Sequence, residues 1–108
     1  LSIGQTCIIG HIKNENIERL KLNAKNNNYS GKDMAFTSFE EWQVEALKAL
    51  ENIGSLTKSV IWNSGFYLWK AGITRTLEEG IKHSQSLIES GSAKSTLKKL
   101  IDWRENII

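Results

Sequence analysis

The chain has 108 residues, of which 24% are charged and 40% hydrophobic, with a formal net charge of +2. That is enough for one modest core and not for two, with an ordinary soluble composition. The charges are interspersed, so composition alone makes no case for a nucleic-acid partner.

No apolar run approaches the roughly 20 residues that span a bilayer, so no membrane partner is expected. The single Cys7 excludes an internal disulfide and a multi-cysteine zinc site, and fits a reducing compartment. Leu1-Ser2-Ile3 lacks the basic and long apolar regions of a signal peptide. A start at Leu1 rather than Met raises the expectation of further sequence upstream.

In chain order, TCIIGHI from Thr6 to Ile12 and IERLKL from Ile17 to Leu22 are short β-prone runs. The polar turn Lys13-Asn14-Glu15-Asn16 between them predicts a β-hairpin over about 6–22. Glu18, Leu20 and Leu22 would share one face, and Ile17, Arg19 and Lys21 the other. Asn23 to Lys32, NAKNNNYSGK, is expected to be a loop, since Asn, Ser and Gly compete with regular structure.

A first helix is expected over about 38–53, opened by a Ser38/Glu41 capping box and stopped by Gly54. Phe39, Trp42, Ala46, Leu50 and Ile53 recur at helical spacing as its inner stripe. A second helix, about 56–71, would be capped by Ser55 and ended by Gly72. It carries IWNSGFYLWKAG, Ile61 to Gly72, the densest aromatic stretch of the chain and hence the expected centre of the core. Its apolar middle reads as a buried helix, although VIW and FYLW are also compatible with strands. Gly65 within it costs about 1 kcal/mol of helix propensity, which close backbone packing could offset.

Thr76 and Glu79 open a third helix, about 77–90, with Leu77, Ile81 and Ile88 inside and Gly80 as a second point of close approach. Ser92 would cap a fourth, about 93–105, carrying Ala93, Leu97, Leu100, Ile101 and Trp103. The expected fold class is therefore α+β, a hairpin followed by four helices.

Catalytic and metal-binding patterns are missing. Cys7 and His11 would share a strand face, but with only His83 as a further candidate they make no metal site. No G-x-S-x-G elbow, G-x-G-x-x-G or Walker loop occurs. Glu40-Glu41 and Glu78-Glu79 fall in helix first turns, where acids serve capping. No catalytic, cofactor-binding or metal residue is assigned. Lys94, Lys98, Lys99 and Arg104, beside Trp103, form the one candidate nucleic-acid contact; a solvated face whose stems cover apolar surface is the alternative.

Taken together, VIWNSGFYLWKAGITRTLEEGIKHSQSLIESGSAKSTLKKL resembles the C-terminal segment of the anthranilate phosphoribosyltransferase family. In that family an Asn opens a buried helix ending in Gly, followed by a capped helix, a Ser-Gly turn and a leucine-striped helix. The matching residues are Trp62, Asn63, Gly65, Gly72, Leu77-Glu78-Glu79-Gly80, Ser90-Gly91-Ser92-Ala93, Leu97 and Leu100. CIIGHIKNENIERLKLN is similar to the family's β-ribbon, so the likeness covers nearly the whole chain. Ser64-Gly65-Phe66-Tyr67-Leu68-Trp69 replaces the family's run of small residues and looks more like its divergent cyanobacterial-type paralogues. WNSGFYLWKA is also similar to a short segment of sugar-1-phosphate nucleotidylyltransferases.

The resemblance implies part of an α/β domain in a longer parent. That parent would transfer a phosphoribosyl group from phosphoribosyl pyrophosphate (PRPP), with Mg²⁺, to an aromatic amine, a step of tryptophan biosynthesis. It also implies the upstream half of the parent as partner, a possible homodimer, and a cytoplasmic or plastid-stromal location. The family's glycine-rich diphosphate loop, anthranilate contacts and Asp-Glu pair lie upstream of this region, so no site residue carries over. A non-catalytic nucleic-acid-binding paralogue is the competing class.

Overall fold

The computed structural model describes residues 1–107: a two-stranded antiparallel sheet followed by four helices, the α+β arrangement expected. Strands β1 (Cys7–Lys13) and β2 (Asn16–Leu22) pair with Cys7 opposite Leu22, His11 opposite Glu18 and Ile12 opposite Ile17. Asn14 (φ 49°) and Glu15 (φ 69°) are both left-handed, the turn geometry whose twist matches that of the strands it joins. Period-two alternation turns Cys7, Ile9, Leu20 and Leu22 toward the helices and leaves Ile8, Ile12 and Ile17 in solvent.

The expected loop after β2 holds one 3₁₀ turn, Ala24–Asn27. Asn23 caps it by accepting from the Lys25 amide, and Asn28 closes it at φ 57°. Ala24, only 1% exposed, is driven into the core by this turn.

Helix α1 (Phe39–Ala49) begins where expected, with Ser38 Oγ accepting from the Glu41 amide at 3.1 Å. Only half of the capping box forms, because the Glu41 carboxylate accepts from the Thr37 hydroxyl instead. The stop is not Gly54. Asn52 (φ 61°) reverses the chain, with Ile53 N–H donating to the Lys48 carbonyl at 3.0 Å; Gly54 (φ 92°) lies beyond, in the turn to the next helix. The expected inner stripe is largely uncovered as well: Phe39, Trp42 and Ile53 are exposed, Ala46 and Leu50 are half-buried, and Ala49 is the buried residue. Helical spacing says which side chains share a face, not whether another element covers it.

Helix α2 (Thr57–Lys70) is continuous, which decides against the strand reading of its aromatic runs. Ser55 does not cap it. Leu56 occupies the cap without a side-chain bond, and the Ser55 hydroxyl donates to Met34 Sδ at 3.3 Å. Ile61, Trp62, Gly65 and Phe66 are buried, whereas Tyr67 faces solvent. Gly72 (φ 77°) ends the helix as expected, with Ile73 N–H reaching the Leu68 carbonyl at 3.0 Å.

Helix α3 (Leu77–Glu89) has Thr76 Oγ1 accepting from the Glu79 amide at 3.1 Å, while the Glu79 carboxylate accepts from the Arg75 amide. Leu77, Gly80, Ile81, Ser84 and Ile88 form its buried face, as their spacing predicts. Helix α4 (Ser92–Ile107) follows Gly91 (φ 79°) directly. Ser92 is its first residue rather than its cap, and Ser92 N–H donates to Ser90 Oγ. No residue of α4 is buried.

The core is therefore α2 against α3, with Ile3, Leu22 and Ala24 packed on top, centred on Trp62 at 0% exposure.

Candidate functional site

Of the family-motif residues, Trp62, Gly65, Leu77 and Gly80 lie buried where α2 packs on α3. Glycines at 65 and 80 face each other there: a Cβ on Gly65 would stand 2.8 Å from the backbone N and Cα of Ile81. A Cβ on Gly80 would press into the Gly65 carbonyl oxygen. Trp62 packs beside this contact, and Gly72 and Gly91 supply the left-handed turns at the two helix ends.

Asn63 does not open a helix; it lies within α2, because the helix already starts at Thr57. Its amide donates to the Ser59 and Leu1 carbonyls, both at 2.9 Å, and its carbonyl accepts from the Leu1 ammonium. Trp62, Asn63, Gly65, Gly72, Gly80 and Gly91 thus each have a packing, turn or hydrogen-bonding role in this chain, whereas Leu100 is exposed. None presents a free reactive group to a cavity.

The titratable candidates stay apart. Cys7 and His11 share a face of β1, as their spacing predicts, and His83 sits exposed on α3. The His11 ring instead meets the Lys70 ammonium, which also lies 4.5 Å from the Trp69 ring centroid. Glu41 and Glu79 are held in the helix starts described above. Among the described residues no three His, Cys, Asp or Glu side chains converge.

The basic residues of α4 are partly neutralised. Lys94 pairs with Glu51 at 2.5 Å and Lys98 with Asp102 at 3.2 Å, both in solvent, while Lys99 and Arg104 have no acid within ion-pair distance among the described residues. Beside them a groove of about 320 Å³ runs between α1 and α4, lined by Leu47, Leu50, Leu97 and Ile101 with the Glu51–Lys94 pair at its edge.

Sequence reasoning missed a clasp at the start of the chain. Asp33 accepts from the Ser2 hydroxyl and from the Ile3 amide at 3.0 Å. The Ser2 hydrogen bond, helped by the Ile3 and Gly4 amides, holds the Asp33 carboxyl below its ordinary pKa. The partners are about thirty residues apart in sequence, and no local pattern marks such a pair. Burial pushes the Tyr29 hydroxyl the other way.

No family model matches the chain. It is similar to the anthranilate phosphoribosyltransferase of Polaromonas sp., 28% identical over 99% of this chain and 32% of that protein. It is similar also to the same enzyme of Laribacter hongkongensis, 26% identical over 94% of this chain and 31% of that protein. Over 51% of the chain it is 34% identical to the anthranilate phosphoribosyltransferase of Listeria monocytogenes, covering 16% of that protein. The fold is thus an α+β segment whose likeness runs to anthranilate phosphoribosyltransferases from end to end. The chain spans about a third of the length of these curated relatives.

Proposed function

We propose that this chain is the C-terminal architectural part of an anthranilate phosphoribosyltransferase-like protein. In the intact parent, PRPP with Mg²⁺ would donate a phosphoribosyl group to an aromatic amine. The segment itself would complete the α/β domain around an active site built upstream. The observation that carries this reading is the reach of the likeness: nearly all of this chain, against one third of each relative. Family-motif residues engaged in packing and turns rather than chemistry agree with it.

The surface agrees too. Ile8, Ile12 and Ile17 on the outer face of the hairpin and Phe39, Trp42 and Val44 on α1 are all exposed. A surface this apolar suits a segment that normally packs against more protein. The two-stranded sheet has both outer edges free, and such a ribbon gains stability from further strands or covering elements.

The test is the intact mass of the protein isolated from its source. A mass several-fold above 12.2 kDa supports the reading, and a mass near 12.2 kDa overturns it.

A further inference from the structure

We infer that the pocket between β1 and α2, flanked by His11 and Lys70, binds a small monocarboxylate with an aliphatic body. Of the lysines and arginines in the chain, only Lys70 is half-buried; the others are exposed. No acid lies within ion-pair distance of Lys70 among the described residues, Glu18 opposite His11 in the hairpin included. Its ammonium instead meets the His11 ring and lies 4.5 Å from the Trp69 ring centroid. An aromatic face and an imidazole steer an ammonium without cancelling its charge as a carboxylate does. A cation drawn partly out of water favours a counter-charge beside it, because its own hydration is reduced.

Two elements bring these groups together. Lys70 is the last residue of α2, and alternation puts His11 on the face of β1 that Cys7 and Ile9 turn toward the helices. Beside the pair lies a pocket of about 410 Å³, lined further by Ile9, Gly10, Ile12 and Phe66. Small-molecule sites of this size combine apolar walls with a few convergent polar groups that fix orientation. A carboxylate takes a charge-assisted hydrogen bond from the Lys70 ammonium and a second from a ring N–H of His11. An alkyl chain then lies along Ile9, Ile12 and Phe66, which is the apolar part of the lining.

Charge sets the class of ligand. The C-terminal end of a helix carries partial negative charge, and Lys70 sits at that end of α2. One ammonium there matches one negative charge and not the two of a phosphate, and no arginine lines the pocket to help. This inference uses the hairpin and α2 alone and does not rest on the phosphoribosyltransferase reading.

The experiment is isothermal titration calorimetry of the full protein with sodium octanoate, with circular dichroism as the check on folding. Saturable binding is expected. Lys70→Met, which keeps most of the stem and removes the charge, should weaken it by about tenfold, the loss of one hydrogen bond to a charged group. Lys70→Arg should keep most of the affinity, and His11→Leu, a second variant on the other element, should weaken it severalfold. Lys58→Met, at the exposed start of α2, should change nothing. Octanol has the chain without the charge and inorganic phosphate the charge without the chain; each should bind about tenfold more weakly than octanoate. The absence of saturable octanoate binding overturns the proposal. So does binding that folded Lys70→Met and His11→Leu leave unchanged, or octanol or phosphate binding as tightly as octanoate. None of these outcomes bears on the native mass, so the two readings fail separately.

Discussion

Gly65 and Gly80 meet backbone to backbone, and that contact sets how close α2 and α3 lie. A methyl group on Gly80 would press into the Gly65 carbonyl oxygen, and one on Gly65 would stand 2.8 Å from the Ile81 N and Cα. Both obstacles are main chain, so neither can turn aside. Gly65→Ala and Gly80→Ala each gain about 1 kcal/mol of helix propensity, but overpacking of this kind costs about 1–3 kcal/mol. Both variants should be less stable than the parent chain, with Gly80→Ala the worse. Urea denaturation measures the difference; an unchanged or raised midpoint for Gly80→Ala would show that the helices can part without cost.

Trp62 fills the centre of the core, and its indole N–H has no hydrogen-bond partner although it is buried. Trp62→Ala should cost about 3–5 kcal/mol through the cavity it leaves. Trp62→Phe should cost distinctly less, because the void is smaller and an unpaired donor is removed. Equal losses for the two variants, compared by thermal unfolding, would refute the second half of this expectation.

Glu15 occupies a left-handed position at φ 69° in the hairpin turn. Holding a side chain there costs on the order of 1 kcal/mol, and Asn-Gly is the pair this turn prefers. Glu15→Gly should therefore raise stability by up to about 1 kcal/mol, whereas Glu15→Val should lower it. The check is a denaturation midpoint for each variant beside the unmodified chain.

Asp33 links the segment at Ser2 and Ile3 to the loop before α1, and its folded pKa is lowered, chiefly by the Ser2 hydroxyl. A depressed carboxyl stabilises the fold above its ordinary pKa and loses that contribution as pH falls through the lower, folded value. Stability should therefore decline on acidification in the range at and below the usual carboxylate pKa, and Asp33→Asn should flatten that decline. Melting temperatures recorded from neutral pH downward decide it; a parallel decline in Asp33→Asn would assign the effect to other carboxylates.

The exposed apolar face of α1 marks where local reading stopped being sufficient. Phe39, Trp42 and Ile53 have the spacing of a buried stripe, and α1 forms where that spacing says it should. Whether the stripe is covered depends on what lies against it, and α2 reaches α1 only sparsely. The cap residues tell the same story on a smaller scale. Ser38 and Thr76 cap as expected because the bond closes within three residues. Ser55 instead points to Met34, a partner twenty-one residues away.

The amino-acid sequence by itself determined the elements: the hairpin from its alternation and turn, the four helices from periodicity, with glycine stops at Gly72 and Gly91 for two of them, and the aromatic centre at Trp62 and Phe66. These depend on interactions within a few residues, so they are written locally. The likeness to anthranilate phosphoribosyltransferases was legible for the same reason, since it lies in the order of those local motifs. Only the tertiary structure decided that Asn63 sits within a helix, tied to the first residue, that Gly65 and Gly80 touch, and that Asp33 clasps Ser2. It alone decided, too, that α4 has no fully buried residue and that two of its lysines are already paired. Those outcomes depend on which surfaces meet across long stretches of chain, where burial and charge are settled by neighbours that no local spacing names.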